Sequence, residues 1–220
     1  DNNDTPRFLL KSTWEGLWRP AVAYLLFSPG IPCLFYGSEQ GFRAPSDEYS
    51  SDSAAIPENR PDMFHDGRYK FPTSLKADNF DTSYRLYTTV QDLTMLRATY
   101  PALRRGTTVV RYSSSTSPGP YVFSRLHEGQ EVVVAINFSL QGFQHIRFPV
   151  DPTATPPGIQ LVNALNRQDV YTSAKGKRDG TNKRGSEVTI SLGQNEVQVL
   201  VPKIGSSAKG TLGCLGLRLC

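Results

Sequence analysis

The first eight residues, DNNDTPRF, carry a dense group of side chains that could do chemistry. Asp1 and Asp4 supply carboxylates, Asn2 and Asn3 supply amides, and Arg7 supplies a guanidinium. A fixed carboxylate can stabilise positive charge that develops in a transition state. The same composition is also typical of a hydrophilic turn in which Asp and Asn side chains cap the backbone. The block is therefore a candidate site, and a capping turn is the alternative.

A second polar segment follows an apolar run of the kind found in buried strands. Residues 31–36 read IPCLFY, and the loop after Gly37 contains Glu39. Enzymes built on parallel strands place their active sites in loops at the carboxyl ends of those strands. Further along, PENRPDMF occurs within residues 38–81, a stretch longer than most loops that lack a function. We expect residues 38–81 to form a loop beside a site.

Five blocks in this order resemble one known family. DNNDTPRF, GIPCLFYGSEQGF, NRPDMF, a helix ending in LRATYPALRRG and a strand containing VVVAINFS resemble the C-terminal part of the alpha-amylase family, glycoside hydrolase family 13. The resemblance covers residues 1–165. It implies an α+β multidomain chain: an incomplete C-terminal piece of a TIM (β/α)8 barrel followed by an antiparallel β-sandwich.

The resemblance also implies roles for individual residues. Asp4 matches the family's third catalytic carboxylate, which holds hydroxyls of the sugar being cleaved and stabilises an oxocarbenium-like transition state. Asn3 stands where the family ordinarily has His; an amide can also donate a hydrogen bond to a sugar but cannot become cationic. Glu39 and Arg60 match polar positions of the following loop and are expected to support substrate binding, with surface salt-bridge partners as the alternative. Tyr36, at the end of the expected strand, is placed to meet substrate.

The residues that would complete a glycosidase site are expected outside this chain. Retaining glycosidases use a nucleophilic carboxylate and an acid/base carboxyl about 5 Å apart. In the resembled family both precede the block with which this chain opens. We therefore expect a fragment of a retaining glycoside hydrolase acting on α-1,4-glucans or maltooligosaccharides, inactive alone. No cofactor is expected in the fragment, whereas the longer parent could carry calcium.

Helices and strands must position these residues. Residues 11–27 repeat apolar side chains at spacings of three and four, which predicts a helix with Trp14 and Trp18 in the core. A second helix is predicted over residues 81–105, with Gly106 as its C-terminal stop. After Gly106 the period changes to two, which is typical of antiparallel strands. The predicted strands cover residues 107–112, 121–126, 131–138, 143–148, 160–163, 188–192 and 197–201.

These patterns divide the chain into three parts. Residues 1–105 are predicted to be the last part of the catalytic barrel. Residues 106–203 are predicted to form the C-terminal β-sandwich domain. Residues 204–220, rich in glycine and without periodicity, are predicted to form a flexible tail.

Composition and charge exclude several classes of protein. The chain is 38% hydrophobic and 20% charged, which excludes wholesale disorder. No apolar run approaches the roughly 20 residues of a membrane helix, so no membrane partner is expected. Residues 175–185 hold five basic residues and one acid and account for the net charge of +4. Because this run lacks interleaved aromatics, we interpret it as a solvated, mobile loop and expect no nucleic-acid partner.

Cysteine and histidine usage indicates no metal site. The three cysteines match no metal-ligand spacing, and the three histidines are scattered. The chain begins with Asp1 rather than Met and shows no basic-then-apolar leader, so any targeting signal was removed or belonged to a longer parent. The compartment is therefore unknown, and secretion is compatible with the sequence.

Two functional alternatives remain open beside hydrolysis. One is transglycosylation by a relative of the same family. The other is a non-catalytic carbohydrate-binding β-sandwich, which would show exposed, coplanar aromatic side chains on one sheet face. The candidates for such a face are Tyr112, Tyr121 and Tyr171.

Overall fold

The computed structural model describes residues 2, 5–10, 14–44, 60–68, 78–116, 118–142, 144–178 and 184–203. Helices occupy the first half of this described part and antiparallel strands the second. In the described part, no helix is both long and apolar enough to cross a membrane. The predicted tail at residues 204–220 lies outside the described residues.

The first helix, α1, spans Trp18–Phe27 and follows a 3-10 turn at Glu15–Leu17. Its inner face buries Trp18, Val22 and Phe27, as the periodicity predicts. The expectation that Trp14 also lies in the core is wrong, because its side chain is 50% exposed. Trp14 precedes the 3-10 turn in extended backbone, so the helical spacing that places Trp18 inward does not apply to it.

The predicted second helix is divided in two. Helix α2 spans Arg85–Thr99 and helix α3 spans Pro101–Arg105. Tyr100 between them has φ −106° and ψ 104°, an extended conformation that a following proline favours by steric clash. Asp81 does not belong to the helix, because its carboxylate accepts hydrogen bonds from the amide and hydroxyl of Ser83 in a turn.

Residues 31–35 do not form the predicted strand. The segment has no regular secondary structure, and the side chain of Ile31 is 97% exposed. A strand is stabilised by hydrogen bonds to neighbouring strands and by burial of its faces. In the described part of the chain this segment belongs to neither sheet, so its apolar composition alone does not make it a strand.

In the part of the chain that the structure describes, nine strands form two antiparallel sheets. The larger sheet has the order β1-β2-β3-β9-β5-β6 and the smaller has the order β4-β8-β7. The prediction of an antiparallel, strand-rich C-terminal part is confirmed. The strands are β1 Thr107–Ser113, β2 Pro120–His127, β3 Gln130–Asn137, β4 Gln144–Val150, β5 Gln160–Asn163, β6 Asn166–Thr172, β7 Ala174–Arg178, β8 Arg184–Leu192 and β9 Val197–Pro202.

Strands β6 and β7 were not predicted from the sequence. In β6, polar residues outnumber apolar ones, so the period-two signal is weak. Lys175 and Lys177 belong to β7, which pairs with β8, so the expectation of a mobile loop over residues 175–185 is wrong for this part of the run. Both lysines are exposed, as expected of a solvated segment. Residues 179–183 lie outside the described residues.

Strand β3 is buried on both faces because it lies between two cores. Val133 and Ala135 contribute to a core shared with the smaller sheet, which includes Ile146 and Phe148 of β4. The intervening residues of β3, together with Val197, Val199 and Val201 of β9, face a second core that they share with α1, α2 and α3. The larger sheet is therefore covered on one face by the smaller sheet and on the other by the helices. The predicted division at Gly106 stays a prediction.

Candidate functional site

The loop after residues 31–35 is shaped by two glycines. Gly37 and Gly41 have φ of 76° and 77° and flank a 3-10 turn at Ser38–Gln40. The amide of Phe42 donates to the carbonyl of Gly37 at 2.9 Å. A Cβ on Gly37 would lie 2.2 Å from the ring of Phe42, so this position requires glycine for both its backbone conformation and its contact.

A fully buried cation, Arg7, joins the N-terminal block to this loop. Its guanidinium lies over the rings of Phe35, Tyr36 and Phe42, with 4.0, 4.9 and 5.4 Å from Cζ to the ring centroids. Nη1 of Arg7 donates to the backbone carbonyl of Tyr36 and to Oγ of Ser38, the latter at 3.3 Å. A planar guanidinium suits this arrangement because it can stack on rings and donate hydrogen bonds in its own plane at once.

Burial lowers the pKa of Arg7 to about 10, because desolvation disfavours the cation. The opposing effects of Tyr36 and Glu39 are smaller. Arg7 is therefore still protonated at neutral pH. It is a fixed positive charge inside the base of the loop.

The loop also contacts the segment at residues 60–62. The hydroxyl of Tyr36 donates to the carbonyl of Pro61 at 3.2 Å, and the side chain of Tyr36 remains 40% exposed. Arg60, next to Pro61, is exposed, and Glu39 in the 3-10 turn is half-buried. The structure thus brings the segments of Tyr36 and Arg60 together. Aromatic, carboxylate and guanidinium groups that reach the surface are suited to bind the faces and hydroxyls of a sugar.

Asp4 and Asn3 lie outside the described residues. Their described neighbours Asn2 and Thr5 pair as an isolated β-bridge, and Oγ1 of Thr5 donates to Oδ1 of Asn2 at 3.2 Å. The roles assigned to Asp4 and Asn3 therefore stay predictions.

The carboxylate of Glu15 accepts hydrogen bonds from the side chains of three residues. It accepts hydrogen bonds from Nη2 of Arg43 at 3.1 Å, from the hydroxyl of Tyr84 at 3.0 Å and from Nε of Arg85 at 2.9 Å. Partial burial opposes ionisation of Glu15, but these hydrogen bonds outweigh it and hold the pKa of Glu15 below its ordinary value. Burial of the Tyr84 hydroxyl, together with its hydrogen bond to Glu15, raises the pKa of Tyr84. The cluster ties the end of the loop to the start of α2.

Local sequence patterns gave Arg7 no structural role and did not single out Glu15. Both act on partners that are distant in sequence: Arg7 contacts residues 29 and 31 positions away, and Glu15 contacts Arg85, 70 positions away. Arg7 belongs to a block that was recognised, so its presence in DNNDTPRF was the available signal. Glu15 had no such signal, because an acidic residue at the start of a helix is ordinary.

The aromatic side chains that would distinguish a carbohydrate-binding sandwich do not form one face. Tyr121 packs against the core between the larger sheet and the helices. Tyr112 and Tyr171 pack against the core between the two sheets. Partial burial in two separate cores does not match a row of exposed, coplanar rings. Among the described residues, no group of three or more His, Cys, Asp or Glu side chains is placed to hold a metal ion.

Comparison with curated proteins gives alpha-amylases and cyclomaltodextrin glucanotransferases among the relatives, although no family model matches the chain. The alpha-amylase of Niallia circulans is 29% identical over 179 residues, which cover 80% of this chain and 29% of that protein. The cyclomaltodextrin glucanotransferase of Thermoanaerobacterium thermosulfurigenes is 27% identical over 219 residues, which cover 97% of this chain and 25% of that protein. The chain thus spans less than a third of the length of these relatives.

Solved structures agree in fold. The alpha-amylase of Geobacillus thermoleovorans, complexed with acarbose, superposes with a TM-score of 0.63 at 22% identity, covering 93% of this chain and 38% of that chain. The three-domain cyclomaltodextrin glucanotransferase CldA superposes with a TM-score of 0.64 at 24% identity, covering 93% and 36%. Since its homologues are alpha-amylases and cyclomaltodextrin glucanotransferases, and its structural neighbours are of the same kind, the chain matches the C-terminal region of the alpha-amylase family.

Proposed function

We propose that the chain is the C-terminal part of a retaining glycoside hydrolase that acts on α-1,4-glucans, and that Asp4 is its transition-state carboxylate. The observation that carries the proposal is the anchoring of Arg7. Arg7 follows Asp4 by three positions and is fixed to Tyr36 and Ser38 at the base of the loop that bears Glu39. The block that holds Asp4 is therefore attached to the expected substrate-binding loop.

The curated relatives and the structurally similar proteins support an α-glucan as the class of substrate. Curated relatives are alpha-amylases and cyclomaltodextrin glucanotransferases. Solved neighbours include an alpha-amylase with acarbose and AmyP with maltose. A maltooligosaccharide is accordingly the proposed substrate, with Tyr36, Glu39 and Arg60 binding the sugar beside Asp4.

In this proposal Asp4 acts by charge rather than by covalent attack. Cleavage of a glycosidic bond builds positive charge on the anomeric carbon and the ring oxygen. A fixed carboxylate stabilises that charge more in the transition state than in the ground state, which is the condition for catalysis. Asn3 donates a hydrogen bond to a hydroxyl of the same sugar, in the role that the resembled family ordinarily gives to His.

The remaining chemistry is proposed to come from a longer parent protein. A nucleophilic carboxylate would form the glycosyl-enzyme bond while a carboxylic acid protonates the leaving oxygen, and water would then hydrolyse that bond. Neither group is assigned to this chain. Helices α1 and α2 with the loop after residues 31–35 are the proposed remnant of the barrel. We expect the isolated chain to leave soluble starch and maltotetraose intact in a reducing-sugar assay, and robust turnover that stays with the folded chain would overturn this expectation.

Transglycosylation is the second candidate, favoured by the cyclomaltodextrin glucanotransferases among the relatives. The two reactions share the glycosyl-enzyme and differ in the acceptor, which is water or a sugar hydroxyl. Product analysis of the parent protein with maltotetraose distinguishes them. Hydrolysis gives only shorter sugars, whereas transfer also gives longer or cyclic ones.

The deciding experiment is Asp4→Asn in the parent protein. Loss of one preorganised electrostatic contact costs about 100- to 1,000-fold in kcat, while the ground-state affinity for substrate changes little. Asn3→His is made alongside and should raise kcat if Asn3 holds the position of a family His.

The matched control is Asp151→Asn. Asp151 caps a turn, with Oδ1 accepting from the amides of Thr153 and Ala154 at 2.8 and 2.9 Å. The amide oxygen of Asn can accept the same two hydrogen bonds, so this substitution should change the melting temperature little and leave kcat unchanged. If Asp4→Asn behaves as the Asp151 control does, Asp4 is a capping residue and the proposed catalytic role is wrong.

A further inference from the structure

Two exposed phenylalanine rings, those of Phe64 and Phe80, contact each other. Their side chains are 56% and 53% exposed, their ring centroids are 5.3 Å apart, and their planes meet at 63°. Among the ring pairs of the described residues, this is the one in which both side chains are more than half exposed. Single exposed apolar residues are ordinary, whereas contiguous exposed apolar surface often marks a binding site. We call these two residues the aromatic pair.

Hydrogen bonds cross-link the two segments that carry the aromatic pair. Met63 and Asn79 precede the two phenylalanines, and the amide of Asn79 donates to the carbonyl of Met63 at 2.6 Å. Nδ2 of Asn79 donates to the same carbonyl at 3.1 Å. On the other side, the amide of His65 donates to Oδ1 of Asp78 at 2.9 Å, and Nδ1 of His65 lies 2.8 Å from that oxygen. The segments are thus held together on both sides of the rings, without a ligand.

A tight turn also fixes the backbone of Phe64. The amide of Gly67 donates to the carbonyl of Phe64 at 3.1 Å, the hydrogen bond that closes a β-turn. A Cβ on Gly67 would lie 2.3 to 2.5 Å from three side-chain atoms of Asp62. The glycine therefore lets the turn close against Asp62, with the ring of Phe64 left at the surface.

Both segments are also tied to the loop that carries Tyr36 and Glu39. The hydroxyl of Tyr36 donates to the carbonyl of Pro61 at 3.2 Å, three positions before the first phenylalanine. The side-chain amide of Gln40 pairs with the backbone of Asp81, which follows the second phenylalanine: its Oε1 accepts at 3.0 Å and its Nε2 donates at 3.2 Å. Since three residues span at most about 11 Å, the aromatic pair lies beside the proposed sugar-binding residues.

The chemistry of the aromatic pair suits a neutral ring with C–H groups on its face. The faces of the phenylalanine rings carry partial negative charge, which attracts such C–H groups, and neither ring carries a formal charge. Two rings at a steep angle form a corner, so a ligand can lie on one ring and against the edge of the other. A sugar ring meets these requirements. It is also the ligand proposed for the adjoining loop, so one saccharide chain can contact both.

We propose that Phe64 and Phe80 bind a further glucose unit of the α-glucan whose neighbouring units contact Tyr36 and Glu39. The aromatic pair then selects long glucans over short ones, because only a long chain reaches both places at once. The choice of an α-glucan rests on the proposed function. The position of the further unit rests on the exposure of the two rings and on their attachment to the loop.

The test is a titration of the intact chain with maltose and with maltoheptaose, followed by 1H–15N NMR of the backbone amides. We expect the wild type to bind maltoheptaose more tightly than maltose. Phe64→Ala and Phe80→Ala should each weaken the binding of maltoheptaose about five- to tenfold and that of maltose much less, so the ratio of the two dissociation constants falls. Phe64→Tyr keeps the ring and should keep the ratio.

The matched control is Tyr24→Ala. Tyr24 has a similar exposure, 48%, but its ring contacts Tyr121 and Phe138. Both dissociation constants should therefore stay as in the wild type.

Several results would overturn the inference. Alanine variants of the aromatic pair that keep the wild-type ratio, or that weaken both sugars by the same factor, would show that the two rings do not bind a further unit. The same conclusion follows if tens of millimolar maltoheptaose gives no saturable shift in a well-dispersed spectrum. Equal affinity for cellopentaose would refute the choice of an α-glucan. None of these titrations measures kcat of the parent protein, which tests Asp4, so failure of this inference and failure of the proposed function are distinguishable.

Discussion

Glu131 is a fully buried carboxylate that holds together parts of the sheet structure. Its oxygens accept hydrogen bonds from Nη2 of Arg111 at 2.7 Å, Oγ of Ser124 at 2.5 Å and Oγ1 of Thr155 at 2.7 Å. The amide of Asp151 also donates to it, at 3.0 Å to Oε2. The side chain of Arg111 is itself only 11% exposed. The ion pair therefore lies in an environment that screens it weakly.

Replacing Glu131 with Gln keeps the shape but turns one acceptor into a donor. The hydroxyls of Ser124 and Thr155 can turn to accept from the new NH₂, but the amide of Asp151 can only donate, and the largely buried Arg111 loses its counter-ion. Breaking one side of a buried pair typically costs about 3–5 kcal/mol. With a urea slope of roughly 2 kcal/mol per molar, we expect the unfolding midpoint to fall by about 2 M.

The assay is urea unfolding of the intact chain, followed by circular dichroism. Glu187→Gln is the matched control, because Glu187 also pairs with an arginine across strands, but that partner, Arg147, is 63% exposed. Exposed pairs contribute about 0–1 kcal/mol, so this variant should unfold close to the wild type. If Glu131→Gln is destabilised by no more than the control, the buried network contributes little and the reasoning fails.

Three further predictions follow from other contacts. Gly106→Ala should destabilise the fold by about 1–3 kcal/mol. The added Cβ would lie 2.5 Å from the carbonyl oxygen of Ala102 and 2.9 Å from the backbone of Leu126. A melting temperature equal to that of the wild type would contradict this prediction. The pKa of Glu15 is lowered in the folded state, so its ionised form stabilises the fold above about pH 4.3 and that contribution is lost as pH falls further. The stability difference between wild type and Glu15→Gln should thus narrow below pH 4 in urea titrations, and a constant difference would refute the assignment. Arg7→Lys keeps the charge but loses the planar stacking, so we expect a lower melting temperature and faster proteolysis of the N-terminal block, and unchanged cleavage would show that stacking is unimportant.

The spacing of apolar residues predicted the helices that bury a regular stripe of side chains and the strands in which apolar and polar residues alternate. Strand β3 was recognised because its apolar run is bounded by polar residues, and α1 because Trp18 and Val22 recur at helical spacing. The family resemblance, confirmed by the comparisons, came from the order of short blocks rather than from any one of them. Where local pattern and tertiary contact disagreed, the prediction was wrong. Residues 31–35 have strand composition but no place in either sheet, and β7 has a loop-like composition but pairs with β8.

The sequence by itself determined the resemblance to alpha-amylases and the antiparallel, strand-rich character of the C-terminal part, because both depend on residue type and spacing along the chain. Only the tertiary structure decided which charges are buried and which side chains meet. Arg7 stacks on rings about 30 positions away, and Glu131 pairs with Arg111 across the sheet. The physical reason is that the cost of burying a charge or an amide depends on the partners around it, and those partners are brought together by folding rather than by spacing along the chain.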